Sequence, residues 1–367
     1  MFFCFVFGLE PWLLPPAVEM VEALKAKGHK VKVIYAQYRG EQPNPKDYDA
    51  ANTYSVVPKQ IGYRRLLTYS YLAKAVQSLI SADKPDVLIA CDILALQAIS
   101  GIKDMKKGYW GFEIVKKPAK MKLSFDYYRA LRFPSWINGL NFFLAPSQSR
   151  VDKIRMRSGK QIPGEVIFNC RRFEERQHQH SESGGTKLVY TGRVSEAQYC
   201  EEIIDAMELL ATEVTLTIAG PSSNEYFKKL KDKIDLNAVL AKRVHLPGRL
   251  SREDVYALVD SADIGFVFYN TEMSDEAEDP APNKLSDYVA GDIWTVGGPQ
   301  AYIKYWLEER NAGVCINVIN KTEIADAIKK ILSDGRFKDR KVLNDLYRNE
   351  LNMDVQCDKL LQLVGEM

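Results

Sequence analysis

The residues best suited to chemistry lie in a stretch of thirteen residues that opens with Asp279. Asn283, Lys284 and Asp287 follow at spacings that place them on one face of a short helix. Pro282 stands where the first turn of a helix tolerates proline, and a glycine ends the stretch. The free N–H groups at a helix start favour an anion. These polar residues therefore suit a ligand that carries both phosphates and hydroxyls.

A second interpretation of the same stretch involves no ligand. Leu285, Tyr288 and Val289 recur at helical spacing on another face, which is predicted to belong to the core. Lys284 and Asp287 would then form an ordinary surface pair three residues apart, worth a few tenths of a kcal/mol, roughly. The pattern alone leaves both interpretations open.

The elements that position this stretch alternate between strand and helix, which predicts α/β architecture with parallel sheets covered on both faces. In the first half, the predicted strands are 2–7, 31–35, 86–90, 109–112, 142–145 and 166–168, and the predicted helices are 16–27 and 65–82. In the second half, the predicted strands are 187–191, 214–219, 244–246, 264–268, 293–296 and 313–316, and the predicted helices are 200–210, 224–230, 252–261, 282–290, 321–332 and 346–364.

A polar, apolar-poor stretch separates the two alternating halves and is the best candidate for a linker. It divides the chain into two doubly wound domains and a terminal helical segment. In such domains a ligand binds at the carboxyl ends of the strands. The predicted boundaries are 1–170 for the first domain, 171–185 for the linker, 186–344 for the second domain and 345–367 for the terminal helix.

Composition describes a soluble globular protein of two ordinary domains, with 367 residues, 46% hydrophobic and 27% charged. Six scattered cysteines and four histidines argue against a zinc site and fit reduced thiols in the cytosol. The apolar start, 2–7, is too short to cross a bilayer and fits a buried first strand better. Net charge is +11 over residues 1–185 and −9 over the remainder, an asymmetry that indicates a charged partner.

The excess of positive charge concentrates in residues 102–136, where aromatic residues alternate with basic ones. Such a mixture serves nucleic-acid binding, contact with an anionic membrane, or simply a solvated basic face above core aromatics. The nine basic residues are Lys103, Lys106, Lys107, Lys116, Lys117, Lys120, Lys122, Arg129 and Arg132.

The segment 282–291 resembles the one that marks a branch of the family 4 glycosyltransferases, which have the GT-B fold. The resemblance covers nearly the whole chain in order, through the segments 145–147, 166–169, 188–193, 216–221, 244–248 and 262–265. It implies two Rossmann-like domains that face a central cleft, with nucleotide sugar bound by the second domain and acceptor by the first. The terminal helix resembles the segment that crosses back onto the first domain.

The resemblance also implies roles for two acidic residues, which this family carries eight positions apart. Here they are aspartates where the family normally has glutamates. Asp279 corresponds to the acid beside the donor sugar at the reacting centre, and Asp287 to the acid on the ribose hydroxyls. Glu276 and Glu278 crowd the same loop and are alternatives for the first role.

The remaining donor contacts implied by the resemblance fall on strand ends of both domains. Arg193 corresponds to the arginine that forks onto the diphosphate and stabilises the departing charge. The family has a lysine five residues later, where this chain has Gln198, and Lys284 is a candidate substitute for that charge. The other candidate donor residues are Gly8, Gly192, Gly220 and Asn283.

On the acceptor side, Asp92 and Glu113 follow predicted strands of the first domain. The resemblance places both near the acceptor. Each residue also stands where a carboxylate commonly caps a helix. The two roles remain open.

We expect a retaining glycosyltransferase that moves a sugar from a nucleotide-sugar donor to a glycan or lipid-linked acceptor in surface polysaccharide or glycoconjugate synthesis. No cofactor other than this cosubstrate is expected, and no essential metal. The expected location is the cytoplasm, with residues 102–136 in contact with the inner face of the membrane, and no nucleic-acid partner. The alternatives are a weak or inactive sugar-nucleotide or glycan-binding protein of the same fold and a nucleotide-sugar epimerase, which the scarcity of histidine disfavours.

Overall fold

The structure is a computed structural model that describes residues 1–37, 54–57, 68–115, 125–175, 185–273 and 279–366. The chain divides into two units. Met1–Phe168 and Met353–Met367 form the first, and Asn169–Asn352 the second.

The first unit is built on a sheet of seven parallel strands in the order β3-β2-β1-β4-β5-β6-β7. Every residue of β1 is buried, because helices cover both faces of a parallel sheet. The strands are β1 (Phe2–Phe7), β2 (Lys30–Ala36), β3 (Tyr54–Val57), β4 (Val87–Ala90), β5 (Lys106–Trp110), β6 (Phe142–Ala145) and β7 (Gly164–Val166).

Among the described residues, five α-helices between these strands and one from the end of the chain belong to the first unit. That last helix, Met353–Gly365, packs on α1. Its Val364 carbonyl accepts from Lys106 Nζ at 2.8 Å, and Gln356 Oε1 accepts from the Phe168 backbone N–H at 3.0 Å. The five helices are α1 (Pro15–Ala26), α2 (Thr68–Ala82), α3 (Ile93–Ile99), α4 (Phe125–Ile137) and α5 (Gln148–Ser158).

The second unit has a sheet of six parallel strands in the order β10-β9-β8-β11-β12-β13. Its strands are β8 (Lys187–Thr191), β9 (Thr215–Ala219), β10 (Val244–Gly248), β11 (Ile264–Val267), β12 (Trp294–Gly297) and β13 (Gly313–Cys315). Its helices are α6 (Cys200–Ala206), α7 (Asn224–Asp235), α8 (Arg252–Asp260), α9 (Asn283–Ala290), α10 (Ala301–Lys304), α11 (Lys321–Ser333) and α12 (Lys341–Asn349); the C-terminal helix Met353–Gly365 is α13.

The predicted alternation of strands and helices is confirmed, but the end of the chain differs in detail. One helix was predicted over 346–364, whereas the structure has α12 and α13 with a break between them. Asn352 causes the break, because its buried side-chain amide donates to the carbonyls of Tyr347 and Arg348 at 2.6 and 2.9 Å. These carbonyls at the end of α12 are thereby satisfied without another helical turn. Residues 345–352 lie in the second unit.

The predicted linker also begins differently, since its first residue is fixed in the second unit. Arg171 is only 2% exposed and pairs with Asp260 at 3.1 Å. Its guanidinium also stacks on the Tyr256 ring, 4.6 Å from the centroid. An arginine can be buried when its apolar stem packs against other residues and its guanidinium stacks on a ring. The polarity of the sequence does not predict this burial. Residues 176–184 lie outside the described part of the chain.

Candidate functional site

Three neighbouring strands of the second unit, β8, β9 and β10, each run into a glycine with positive φ. The φ values are +121° at Gly192, +150° at Gly220 and +78° at Gly248. The Gly220 N–H donates to the Gly248 carbonyl at 2.8 Å, and a Cβ added to Gly220 would lie 1.7 Å from the Gly192 carbonyl oxygen. The structure thus brings the predicted Gly192 and Gly220 together in adjoining loops of bare backbone. Such loops let a ligand approach the peptide groups closely.

This contact predicts that Gly220→Ala destabilises the protein by about 2 to 4 kcal/mol, because the methyl group meets backbone and φ is unfavourable for alanine. Urea unfolding of both proteins measures the difference. Gly335→Ala is the matched control, since a Cβ there meets nothing within 4 Å. Equal stability of Gly220→Ala and wild type would contradict the described loop geometry.

Helix α9 holds the end of β8 from one side. Lys284 and Tyr288, one turn apart, both reach it: Lys284 Nζ donates to Tyr190 Oη at 2.8 Å, and Tyr288 Oη accepts from the Thr191 N–H at 3.1 Å. The ring of Tyr288 lies where a side chain of residue 265 would stand, and Gly265 leaves that space open. The end of β8, directly before the loop, is therefore fixed by side chains of α9.

The placement of Lys284 corrects the prediction that put it on a polar face with Asn283 and Asp287. Lys284 is 9% exposed, whereas the other two are half-buried. Its Nζ lies 3.3 Å from the position of a Cβ on Gly192. The burial of Lys284 is explained by its neighbours. The Tyr190 hydroxyl accepts from the ammonium, and the aromatic rings of Tyr190 and Tyr269 lie near it, so that the long apolar stem of the lysine can be buried. The surface pair with Asp287 does not form.

Burial also sets the charge properties of Lys284. It lowers the pKa of the lysine from 10.5 to about 8, with nearby Cys200 acting in the opposite direction. The Nζ lies 4.1 Å from the Tyr190 ring centroid and 5.5 Å from that of Tyr269. Within the described ranges, no carboxylate forms an ion pair with it. An anion that reaches this ammonium compensates a charge that water no longer solvates.

The other predicted residues of the second unit surround this loop. Arg193 is exposed, and its carbonyl accepts from Tyr190 Oη at 2.7 Å. Gln198 is 9% exposed and its Oε1 accepts from the Ser195 hydroxyl, so the side chain is held in place. Asp279 is buried. The alternative acids, Glu276 and Glu278, lie outside the described residues.

The start of α9 is anchored by the segment that follows β7. Asn169 Nδ2 donates to the Ala281 carbonyl at 2.9 Å, and the Ser286 hydroxyl donates to the carbonyls of Asn169 and Asn283. Pro282 occupies the N-cap position and caps no N–H group with its side chain. The first turn of this helix thus keeps donors for an anion.

In the first unit, the predicted residues Gly8, Asp92 and Glu113 line one cavity of 560 Å³. Asp92 caps α3, because its Oδ1 accepts from the N–H groups of Leu94 and Ala95 at 2.8 and 2.9 Å, and its Oδ2 accepts from the Gly8 N–H. Burial raises the pKa of Asp92, and these hydrogen bonds oppose the rise. Of the two roles that the sequence left open for Asp92, helix capping is the one that these hydrogen bonds show. Glu113 is exposed.

The rest of the lining was not predicted from the sequence. It is mostly aliphatic and aromatic, with one further carboxylate (Glu10) and one cation, and its residues lie at or after the ends of β1, β4 and β5 or on α4. The position directly after parallel strands is the signal that points to them. They include Leu13, Leu14, Leu94, Tyr109, Phe112, Ile114, Val115 and Arg129.

The described residues of the basic segment 102–136 contribute less surface than their composition predicts. Lys107 is 6% exposed and donates to the Ile102 carbonyl, and Arg129 donates to Gln97 Oε1 at 3.1 Å. Tyr109, Trp110, Phe133 and Trp136 are core residues. Tyr128, Leu131 and Arg132 are exposed on α4. Residues 116–124 lie outside the described chain, and among the described helices none is long and apolar enough to span a membrane.

Residues 171–349 match the family model described as glycosyl transferases group 1. The matched segment makes up nearly half of the chain. It contains Arg193, Gln198 and Lys284 and the three glycine loops, so the candidate site lies within the matched domain. No curated protein matches the sequence.

Solved structures similar to this chain span both units. HepE from Anabaena, solved in complex with UDP and glucose, has a TM-score of 0.73 at 15% identity, with all of both chains covered. The lipopolysaccharide outer core galactosyltransferase WaaB has a TM-score of 0.67 at 12% identity, covering 100% of this chain and 99% of its own. A sucrose-phosphate synthase from Thermosynechococcus elongatus has a TM-score of 0.71 at 14% identity, covering 100% and 98%.

These comparisons confirm the predicted GT-B fold and the prediction of a glycosyltransferase. Membership of family 4 and retention of configuration stay predictions. So do the roles assigned to single residues.

Proposed function

We propose that the protein transfers a sugar from a nucleotide-sugar donor to a glycan or lipid-linked acceptor, with retention of configuration, in surface polysaccharide or glycoconjugate synthesis. The observation that carries the proposal is the cluster at the carboxyl ends of β8, β9 and β10. There the Gly192 and Gly220 backbones, the exposed Arg193 and the buried Lys284 meet. Support comes from the group 1 domain match and from similar structures that hold UDP.

The chemistry of the proposed reaction follows from where charge develops. Cleavage of the donor leaves positive charge on the sugar and negative charge on the departing diphosphate. Arg193 offers a forked donor, Lys284 an ammonium and α9 its free N–H groups, all of which stabilise the departing charge. Asp279 is assigned to the donor sugar and Asp287 to the ribose hydroxyls. Because these donors can stabilise the departing diphosphate, we keep the prediction that the reaction needs no metal.

The first unit is proposed to hold the acceptor in the cavity lined by Asp92 and Glu113. Gly8, which lines the same cavity, stays a candidate for the donor. Its aliphatic and aromatic lining suits an acceptor that carries an apolar group beside its sugar or hydroxyl. Asp92 supports this cavity by fixing the start of α3 and the Gly8 backbone.

The experiment that tests this function exposes the pure protein to UDP-, GDP-, ADP- and CMP-linked sugars and follows thermal shift and free nucleotide. Transfer predicts a shift and nucleotide release with one type of donor, increased by acceptor. A thermal shift without release would support a binding protein. Absence of both with every donor would refute the proposal.

The binding-protein alternative has one observation in its favour. The family's lysine position is occupied by Gln198, whose side chain is bonded to Ser195 and carries no charge. Less positive charge on the diphosphate slows its departure more than it weakens binding. Turnover decides between the two functions.

We further propose contact with an anionic membrane through the exposed face of α4. Flotation with vesicles containing anionic phospholipid at low salt is expected to recover the protein, and Arg132→Glu with Leu131→Glu is expected to reduce recovery at least about threefold. Vesicles of phosphatidylcholine alone are the control. Recovery that is equal with neutral and anionic vesicles would contradict the electrostatic contact.

A further inference from the structure

One phenol contacts both basic residues of the proposed diphosphate site, Lys284 through its ammonium and Arg193 through its backbone carbonyl. Tyr190 is fully buried at the end of β8. Its hydroxyl donates to the Arg193 carbonyl at 2.7 Å and accepts from Lys284 Nζ at 2.8 Å. A phenol has one proton and an ammonium can only donate, so the direction of this chain is fixed. The position of Lys284 and the backbone of Arg193 therefore depend on the same oxygen.

The ammonium of Lys284 lies beside the loop after β8, the loop in which Gln198 stands at the position of the family's lysine. Lys284 Nζ lies close to Gly192, the residue before Arg193. A Cβ built on Gly192 would be 3.3 Å from this nitrogen. In the same loop, Gln198 is bonded to Ser195 and brings no charge. The loop after β8 thus has an arginine and a lysine, but the lysine comes from α9.

We propose that Tyr190 is a positioning residue that holds Lys284 beneath the loop of Gly192 and Arg193, as the second cation for the donor diphosphate in place of the charge absent at position 198. The inference rests on the proposed function and assigns part of its donor site. Tyr190 itself touches no substrate in this assignment; it acts through Lys284 and Arg193.

The charge state of Lys284 gives a signature of this arrangement. The groups that face it are Tyr190 from β8, Cys200 from α6 and Tyr269 after β11. Arg193 lies in the loop after β8, and Asp287 lies on the same helix as Lys284. Burial raises the pKa of Cys200 to about 11 and that of Tyr190 above its ordinary value, while it lowers that of Lys284 to about 8. A loss of diphosphate affinity above about pH 8 therefore reports deprotonation of Lys284.

The test measures the dissociation constant of a nucleoside diphosphate from about pH 6.5 to 9.5 for wild type and Tyr190→Phe. The probe is whichever of UDP, GDP and ADP binds wild type most tightly. Tyr190→Phe is expected to weaken binding about tenfold at neutral pH, because the ammonium loses a hydrogen bond. The pH at which affinity falls is expected to move lower, since the charged lysine loses its acceptor. Protonation of the nucleotide phosphates changes with pH in the same way for all variants, so differences between their pH profiles come from the protein.

The matched control is Tyr226→Phe. Tyr226 is also a buried tyrosine of the second unit, but its hydroxyl has no hydrogen-bond partner in the described structure. The control is expected to keep the wild-type affinity and pH profile. Wild-type affinity and an unmoved pH profile in Tyr190→Phe would overturn the positioning role while leaving the proposed function intact.

Two further outcomes are decisive. If Tyr190→Phe fails to fold, Lys284→Met takes its place: a flat affinity across pH 7 to 9 supports the inference, and a wild-type profile overturns it. If none of the three nucleotides binds wild type, both the inference and the proposed function fail.

Discussion

Replacing Lys284 with methionine is expected to stabilise the unliganded protein while it weakens nucleotide binding. The buried lysine has its pKa lowered from 10.5 to about 8. This difference corresponds to about 3 kcal/mol of lost unfolding free energy at neutral pH, because the folded state disfavours the charged form. Methionine fills similar volume without charge, and Tyr190 still donates to the Arg193 carbonyl. We therefore expect a gain of about 1 to 3 kcal/mol.

The pH dependence of this gain has a definite sign. Between about pH 8 and 10.5 the unfolded chain holds a proton on Lys284 that the folded chain does not. The unfolding free energy of wild type therefore rises with pH across this window, and the advantage of the variant shrinks. Urea unfolding at pH 7 and pH 9.5, without nucleotide, measures both effects.

The same variant is expected to lose about 10- to 100-fold in affinity for the nucleoside diphosphate at pH 7, since a charge-assisted hydrogen bond is lost. Lys228→Met, an exposed lysine on α7, is the control for both measurements. A variant that is less stable than wild type and binds nucleotide equally well would show that Lys284 has a purely structural role.

Replacing Arg193 with alanine is expected to reduce turnover about 100- to 1000-fold with little change in stability. The side chain is exposed, and within the described residues Arg193 is bonded to the fold through its backbone carbonyl, which accepts from Tyr190. Removing one donor from a developing negative charge costs roughly this much in kcat.

Arg193→Lys separates the two contributions of the arginine, because it keeps the charge and removes the fork. An intermediate loss is expected, measured as kcat with saturating donor and as the free energy of unfolding. Turnover of Arg193→Ala within threefold of wild type would remove this residue from the mechanism.

Much of the fold could be predicted because its signals are local. Buried parallel strands and helical periodicity locate the elements, and the glycines after β8 and β9 mark the loops that meet a ligand. The strand β3 was not predicted, and the break before Met353 depends on the Asn352 side chain, which no periodicity reveals.

The limits at the candidate site have a different cause. Helical spacing assigned Lys284 to a polar face, but whether a lysine points outward depends on what its neighbours offer. Here Tyr190, from a strand 94 positions earlier, provides an acceptor and an aromatic face. A contact between residues so far apart in the sequence depends on how the elements pack, and the spacing of residues within one helix does not predict it. For Asp92 the ambiguity was visible in the sequence, and the hydrogen bonds to α3 show its capping role.

The central claim is that the strand-end cluster of the second unit binds the donor diphosphate. Equilibrium titration of the full chain with the preferred nucleoside diphosphate tests it most directly, using wild type, the double variant Arg193→Ala with Lys284→Met, and Glu113→Gln from the first unit. The account predicts saturable binding to wild type and Glu113→Gln, and at least about a 100-fold loss in the double variant. Unchanged binding by the double variant, together with a loss in Glu113→Gln, would place the nucleotide elsewhere and contradict the account.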